Sequence, residues 1–294
     1  MLALLVKPTL WESRRAKAVL EVLQTSGAAV LQGSNSVELS IELAALQVIY
    51  PDLTLVACGG DGTFHLALNS LPDLQIPIAV LPMGTGNDLA RYLGIKKLKL
   101  GIAALRNGAP VKMDMGIIES SDGSTRRFAG IASCGFDAQV NERANTYRGP
   151  AGTLKYLVAL AVELIKLNSR EFVVSTDGGG KITGRFTLIA VGNTSSYGGG
   201  LKMCPTANAF DQSFEVTYVD HVTRRLLVRV LPKVFWGGHT KHRQVTQNAV
   251  QKIQIGGDEF PVYADGEKVG HGPVVITLHP GAMRVWQAQP TNTP

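Results

Sequence analysis

Two short stretches combine glycines and acids in a way that suits phosphate chemistry. The first is Gly59-Gly60-Asp61-Gly62-Thr63, which follows the apolar run Leu55-Val56-Ala57-Cys58. The second is Gly84-Thr85-Gly86-Asn87-Asp88, which follows the apolar run Ile76–Leu81. Only residues without a Cβ enter the tightest turns cheaply. A strand, a glycine turn and a helix start bring bare N–H groups together, and the helix dipole adds positive field there. Each stretch therefore reads as a cradle for phosphate. Asp61 needs a reason, because a carboxylate repels polyphosphate unless a cation lies between them. It reads most simply as a Mg²⁺ ligand, direct or through water. Thr85 offers a hydroxyl, and Asn87-Asp88 can cap a helix or face a metal. The competing reading of an isolated glycine turn is structural, with Asp61 as a cap; a second loop of the same kind reverses the odds. Two such loops at the carboxyl ends of two strands form one crevice, where open α/β sheets bind ligands. A Walker A sequence is absent and the third glycine of the dinucleotide fingerprint is missing, which argues against both of those sites.

The elements that must position these loops follow from periodicity. Leu2–Val6 reads as a strand, Ser13–Gln24 as an amphipathic helix with Ala16, Val19, Leu20 and Leu23 inward, and Ala28–Leu31 as a short strand. Val37–Val48 is a second helix, Leu55–Cys58 a buried strand, Phe64–Leu71 a third helix, and Ile76–Leu81 a further strand. This alternation to about residue 110 predicts a parallel α/β domain. Beyond Pro110 the pattern changes. Lys112–Glu119, Arg126–Cys134, Glu171–Thr176, Arg185–Val191, Ser213–Val219, Val250–Ile255, Pro261–Ala264 and Val274–Leu278 read as strands, many of them alternating. Helices are expected near Phe136–Ala144, Gly152–Leu167 and Thr223–Trp236. The fold class is thus an α/β domain with a parallel sheet, then a β-rich, antiparallel, sandwich-like domain. The expected boundaries are 1–112, 113–280, and a terminal segment 281–294 returning to the first domain, with a frayed tail after Gln287.

The 294 residues are 45% hydrophobic and 18% charged, which excludes a disordered chain. A net charge of +6 and a pI near 9.2 favour anionic partners, although an ordinary basic surface fits as well. Cys58, Cys134 and Cys204 are widely spaced and read as reduced thiols of a cytoplasmic protein. The start is too short for a signal peptide, because Lys7-Pro8 ends its apolar run. Leu154–Leu167 is interrupted by charges, so no membrane span is expected. Thr223–Trp236 carries Arg224, Arg225, Arg229 and Lys233 and ends in Phe235-Trp236. It could lie on an anionic bilayer; a core-packed helix with solvated cations is the favoured reading. Solvated loop positions are expected for His239, His242 and His271. Asn193 either binds nucleotide or holds a turn.

GGDGT at 59–63 with PMGTGNDLAR at 82–91 strongly resembles the diacylglycerol kinase catalytic domain, in its bacterial soluble lipid kinase branch. CGFDAQV at 134–140, YRGPAGTLKY at 147–156, GNTSSYGGGLKMCPTA at 192–207 and DGE at 265–267 resemble later motifs of that family. The resemblance implies ATP and Mg²⁺ as cofactors, with Asp61 and Asp88 linked to the metal and Asp114 as a third acid reached through water. It implies Asp265 as the general base toward a lipid hydroxyl. Glu267 would share its face if the segment is extended; taken alone, DGE reads as a hairpin turn with solvated acids. A structural metal is also implied, held by the Asp211 side chain with carbonyls of Asn208 and Ser213. The sequence departs from the family at Gln212, where Gly is usual and a positive φ would strain Gln. It departs again at Lys7-Pro8, in place of Asn-Pro, and at Leu66, where many members have Glu.

The expected function is transfer of the ATP γ-phosphate to a lipid hydroxyl, with diacylglycerol leading. The β-rich domain would hold the lipid and deliver Asp265 across a cleft. An NAD kinase-like phosphotransferase with a soluble acceptor is the nearest rival, and a nucleotide sensor without catalysis is another. The partner is a lipid at the membrane surface, met by peripheral contact from the cytoplasm. No nucleic-acid partner is implied, and a homodimer is compatible with the reading.

Overall fold

The computed structural model describes residues 1–7, 10, 14–25, 27–146 and 153–288. Pro8, Ser13, residues 147–152 of the YRGPAGTLKY motif and the tail from 289 lie outside the described residues. The chain divides into two compact units, one comprising Met1–Met113 and the segment from Gly281 onward, the other Asp114–Pro280.

The first unit is α/β. Strand β1 (Leu2–Val6) leads into α1 (Arg14–Thr25), then β2 (Ala29–Val30), α2 (Ser36–Ile49), β3 (Thr54–Gly59) and α3 (Asp61–Ser70). Strand β4 (Ile78–Pro82) is followed by the short α4 (Asp88–Tyr92) and by α5 (Leu98–Asn107). Strands β2, β1, β3 and β4 lie side by side, all parallel, and Val285 near the chain end pairs in parallel with Ile78. Every residue of β3 is buried, as expected of a strand covered on both faces. Leu4, Val56, Cys58, Ala79 and Leu81 form the core with Leu20 of α1. Helix α3 begins at Asp61, three residues before the expected Phe64 start, so the first loop is itself the first turn of a helix.

The second unit is mostly antiparallel. Strand β5 (Pro110–Ser120) runs into it and pairs with β6 (Thr125–Phe128). Then come β7 (Ile131–Gly135), α6 (Phe136–Thr146), α7 (Thr153–Ile165), β8 (Arg170–Thr176), β9 (Lys181–Gly192), β10 (Phe214–Asp220), α8 (Arg224–Val230), β11 (Val245–Val250), β12 (Lys252–Ala264) and β13 (Glu267–Trp286). The strand order β11-β10-β9-β7-β12-β13 is antiparallel throughout, and β8 pairs with both β9 and β12. An aromatic core holds it: Phe128 stacks on Phe214 at 5.6 Å, and Phe172 meets Phe260 edge-on at 5.0 Å.

Several expectations are corrected here. Arg126–Cys134 is not one strand but two, broken at Ala129-Gly130. Val250 ends β11, and the rest of the expected Val250–Ile255 strand from Lys252 merges with Pro261–Ala264 into β12, with a register shift between Ile255 and Phe260 where glycines and acids interrupt the alternation. Strand β11 was not anticipated. Thr223–Trp236 is a two-turn α-helix followed by a 3₁₀ segment, Leu231–Trp236. It is not core-packed: no residue of α8 is buried, and only Val234 of the 3₁₀ segment is.

Candidate active site

The two glycine loops of the first unit touch backbone to backbone. A Cβ on Gly84 would lie 2.6 Å from the Gly60 Cα, and one on Gly60 would lie 3.3 Å from the Gly84 Cα. A side chain on Gly84 is incompatible with that approach, and one on Gly60 would be tight against it. The Gly59 carbonyl accepts from the Met83 and Gly84 N–H groups at 2.8 and 3.1 Å. Asn87, at φ 54°, closes the second loop: its amide donates to the Gly84 carbonyl at 2.7 Å, and its Oδ1 accepts from the Gly84 N–H at 3.2 Å. Gly60 caps α3 with extended backbone and no side-chain hydrogen bond, the kind of helix start whose N–H groups receive phosphate. Gly62 lies in the first turn of α3, and Thr85 is exposed at the tip of the second loop. Thr63 is buried against Gly59, where a Cβ would meet its Oγ1 at 2.1 Å.

Asp61 caps the other loop's helix. Its two carboxylate oxygens accept the N–H groups of Asp88 and Leu89, both at 3.1 Å, at the start of α4. Asp88 is buried and pairs with Arg91 at 2.5 Å; Arg91 also donates to the Gly86 carbonyl. A Cβ on Gly86 would lie 2.7 Å from Asp61 Oδ2 and 3.7 Å from Asp88 Oδ2, so glycine there lets both acids crowd one spot. Two carboxylates plus phosphate oxygens is a donor set that Mg²⁺ accepts. The residues present therefore fit the implied cation. Among the described residues no cluster of three or more His, Cys, Asp or Glu side chains forms a metal cage by itself.

The DGE motif of the second unit is a two-residue hairpin turn. Ala264 pairs with Glu267 across it, and Asp265 and Gly266 take φ 54° and 84°. Positive φ at both central residues is the hairpin geometry that Asp-Gly favours. The segment is thus not extended, and Glu267 sits exposed on the returning strand, not two residues along one face from Asp265. Asp265 is not a solvated turn acid either. Its carboxylate accepts N–H from Gly130 at 2.8 Å and from Ala129 at 3.1 Å, and its own N–H donates to Ile131 O at 3.2 Å. The break between β6 and β7 supplies those donors. A Cβ on Gly130 would come within 2.7 Å of Asp265 Oδ1, so a larger residue there would displace the carboxylate.

Asn193 is fully buried and holds that break in place. Its amide donates to the carbonyls of Ala129 at 2.7 Å and Asp114 at 2.8 Å, while the N–H groups of Asn193 and Thr194 donate to the Gly130 carbonyl at 2.8 and 3.2 Å. It is a turn-holding residue, the second of its two sequence readings. Asp114 is buried, donates its N–H to Ala209 O at 2.8 Å, and accepts the Gln212 N–H at 2.7 Å. Gln212 does take a positive φ, 64°, as the departure at that position implied. In the same loop Asp211 Oδ1 accepts the Ser213 N–H at 3.1 Å, and the Asn208 carbonyl accepts the Asp211 N–H at 3.2 Å. Two of the three donors expected of a structural metal site, the Asp211 carboxylate and the Asn208 carbonyl, thus also accept hydrogen bonds within this turn.

Sequence reasoning passed over Ala129-Gly130, whose only local signal was a glycine inside an apparent strand. It also passed over Asp137 and Tyr197. The Tyr197 hydroxyl donates to Asp137 Oδ2 at 2.9 Å. Burial pushes the Asp137 carboxyl up to about 6, against the opposing pull of the Ser133 and Tyr197 hydroxyls. His239 is buried, not solvated; its Nε2 donates to Met203 O at 3.1 Å, and burial lowers its affinity for a second proton.

Residues 12–118 match the diacylglycerol kinase catalytic domain, and residues 130–287 match the YegS C-terminal NAD kinase beta sandwich-like domain. A diacylglycerol kinase of Mycobacterium tuberculosis is 35% identical over 245 residues, spanning 83% of this chain and 79% of that one. A probable YegS-like lipid kinase of Pseudomonas aeruginosa is 27% identical, over 79% of this chain and 76% of its own. In fold, the chain superposes on the crystal structure of a putative diacylglycerol kinase from Bacillus anthracis with a TM-score of 0.74, at 18% identity, covering 97% and 94% of the two chains. With both domains matched in order, the chain belongs to the diacylglycerol kinase family, in the branch of lipid kinases that carries the YegS-type C-terminal domain.

Proposed function

We propose that this kinase transfers the γ-phosphate of ATP to the hydroxyl of a membrane lipid, with diacylglycerol as the acceptor. The observation that carries the reading is the backbone contact between Gly60 and Gly84, which puts two phosphate-type loops and two carboxylates in one place. The loop N–H groups would hold the nucleotide phosphates, and Thr85 stands exposed beside them. A Mg²⁺ ion held by Asp61 and Asp88 would neutralise charge on the transferring phosphoryl group. Asp265 would take the acceptor's hydroxyl proton. The Ala129 and Gly130 N–H groups aim its carboxylate, and Asn193 fixes those donors in turn. Glu267 is available only from the returning strand of the turn. Asp114 would act through neighbouring groups, and Asp211 with the Asn208 and Ser213 carbonyls would hold a structural ion.

The test is labelled-phosphate transfer from ATP to a panel of diacylglycerol, monoacylglycerol, a sphingoid base, phosphatidylglycerol and NAD. Diacylglycerol is expected to be labelled fastest. Asp265→Asn is expected to lower turnover by roughly 10²–10⁴-fold while sparing nucleotide binding. Unchanged turnover in that variant removes the base assignment, and labelling of NAD alone replaces the lipid reading with its soluble-acceptor rival.

A further inference from the structure

The segment Arg224–Trp236 carries four cations, Arg224, Arg225, Arg229 and Lys233, and no acid. All four are exposed, and none makes an ion pair among the described residues. Apolar side chains are exposed beside them: Val228 at 54%, Phe235 at 54% and Trp236 at 66%. Arg224, Arg225, Val228 and Arg229 line one shallow, open hollow. Leaving two adjacent aromatics in water costs hydrophobic free energy that a core-packed helix would recover.

The segment is nevertheless firmly seated. Val234 is buried in a cluster with Ile131, Met203, Cys204 and Ala207, and its carbonyl accepts the N–H groups of Lys202 at 3.0 Å and Gly237 at 3.2 Å. Behind it, His239 bonds the Met203 carbonyl. One residue per 3₁₀ turn faces inward, so Phe235 and Trp236 are held outward by design of the backbone, not by fraying.

We infer that this segment is the bilayer-contacting surface of the kinase, with the guanidinium groups taking the phosphates of anionic lipid headgroups and Phe235 and Trp236 inserting at the headgroup level. Charge complementarity argues for that partner. Exposed arginines beside apolar and indole side chains match an interfacial amphipathic element, in which cations meet anionic headgroups and Trp sits at the water boundary. The inference rests on the lipid-acceptor reading and deepens it. The same second unit carries Asp265, and the segment packs against the Lys202–Ala207 stretch that continues the chain from Asn193.

The test is flotation of the full chain with vesicles of phosphatidylcholine, with or without phosphatidylglycerol, in the absence of ATP and diacylglycerol. Binding can then fail while phosphotransfer to detergent-dispersed diacylglycerol holds, and the reverse. Wild type is expected to float with the anionic vesicles, less so as salt rises. Arg224→Gln/Arg225→Gln/Arg229→Gln is expected to lose on the order of 100-fold in partitioning. Phe235→Ser/Trp236→Ser should lose affinity while keeping the salt dependence. A second readout needs no charge variant: lipids brominated on their acyl chains should quench wild-type indole emission and quench Trp236→Phe much less. Equal flotation of wild type and the triple variant overturns the inference. So does equal quenching with and without Trp236, or binding of single-stranded nucleic acid in place of vesicles.

Discussion

At the residue scale, the acid of the DGE motif owes its position to groups remote in sequence. Asp265 is gripped by N–H groups 135 and 136 residues away, and Asn193 grips the same turn from the other side. Gly130→Ala should therefore misplace the carboxylate without touching it. A displacement of that size is expected to cost roughly 10²-fold in kcat with little change in nucleotide affinity, read by steady-state kinetics. Asn193→Ala leaves two buried carbonyls short of a donor and is expected to destabilise by about 2 kcal/mol, measured by urea unfolding. Neither role was legible locally. Asn193 read equally well as a nucleotide contact, and Gly130 was hidden in what looked like a continuous strand.

At the element scale, the first unit shows one helix capped by a residue of another. The five-residue α4 could not stand alone; Asp61, from the first turn of α3, accepts its leading N–H groups. Asp61→Ala should then do two things, removing magnesium-dependent nucleotide affinity and uncapping α4. Asp61→Asn keeps one acceptor, and is expected to recover part of the stability but not the metal dependence. Calorimetric titration of nucleotide with and without magnesium, beside a thermal melt, separates the two. Gly84→Ala forces a Cβ into the Gly60 backbone, and backbone cannot step aside as a long side chain can. Its expected result is a loss of nucleotide affinity of at least about 10-fold, from loops pushed apart. The strand–turn–helix order of both loops was readable because β3 and β4 are short apolar runs punctuated by glycine. That Asp61 serves the remote α4 was not readable.

At the scale of the whole molecule, no helix among the described residues is long and apolar enough to cross a membrane. The second unit also carries a pH-sensitive core. The Asp137 carboxyl is raised in the folded state from 3.8 to about 6. Its protonated form is the one favoured by folding, so its contribution is fully present below the unfolded value and is lost as pH rises through the folded one. Asp137→Asn should flatten the dependence of stability on pH between about 4 and 6, and should relatively stabilise the protein above that window, as read from melting temperature against pH. The thiols of Cys58, Cys134 and Cys204 are all buried, and burial pushes each up. A thiol reagent is expected to titrate none of them in the native protein and all three after unfolding.

What the chain declared by itself was whatever depends on neighbours within a few residues. The glycines of two phosphate-type turns, the apolar strands before them, the change from alternating strand and helix to alternating strands, and the ordered set of motifs all fall in this class. Tertiary structure alone decided which groups those motifs meet: Asp61 with α4 at 27 residues' distance, Asn193 with Asp114 at 79, Asp265 with Ala129 at 136. It also decided that Arg224–Trp236 stands outward on a single buried valine. The reason is physical. Periodicity and backbone freedom are properties of a short window, whereas a hydrogen bond or a buried contact belongs to whichever segments the completed fold brings within a few ångströms.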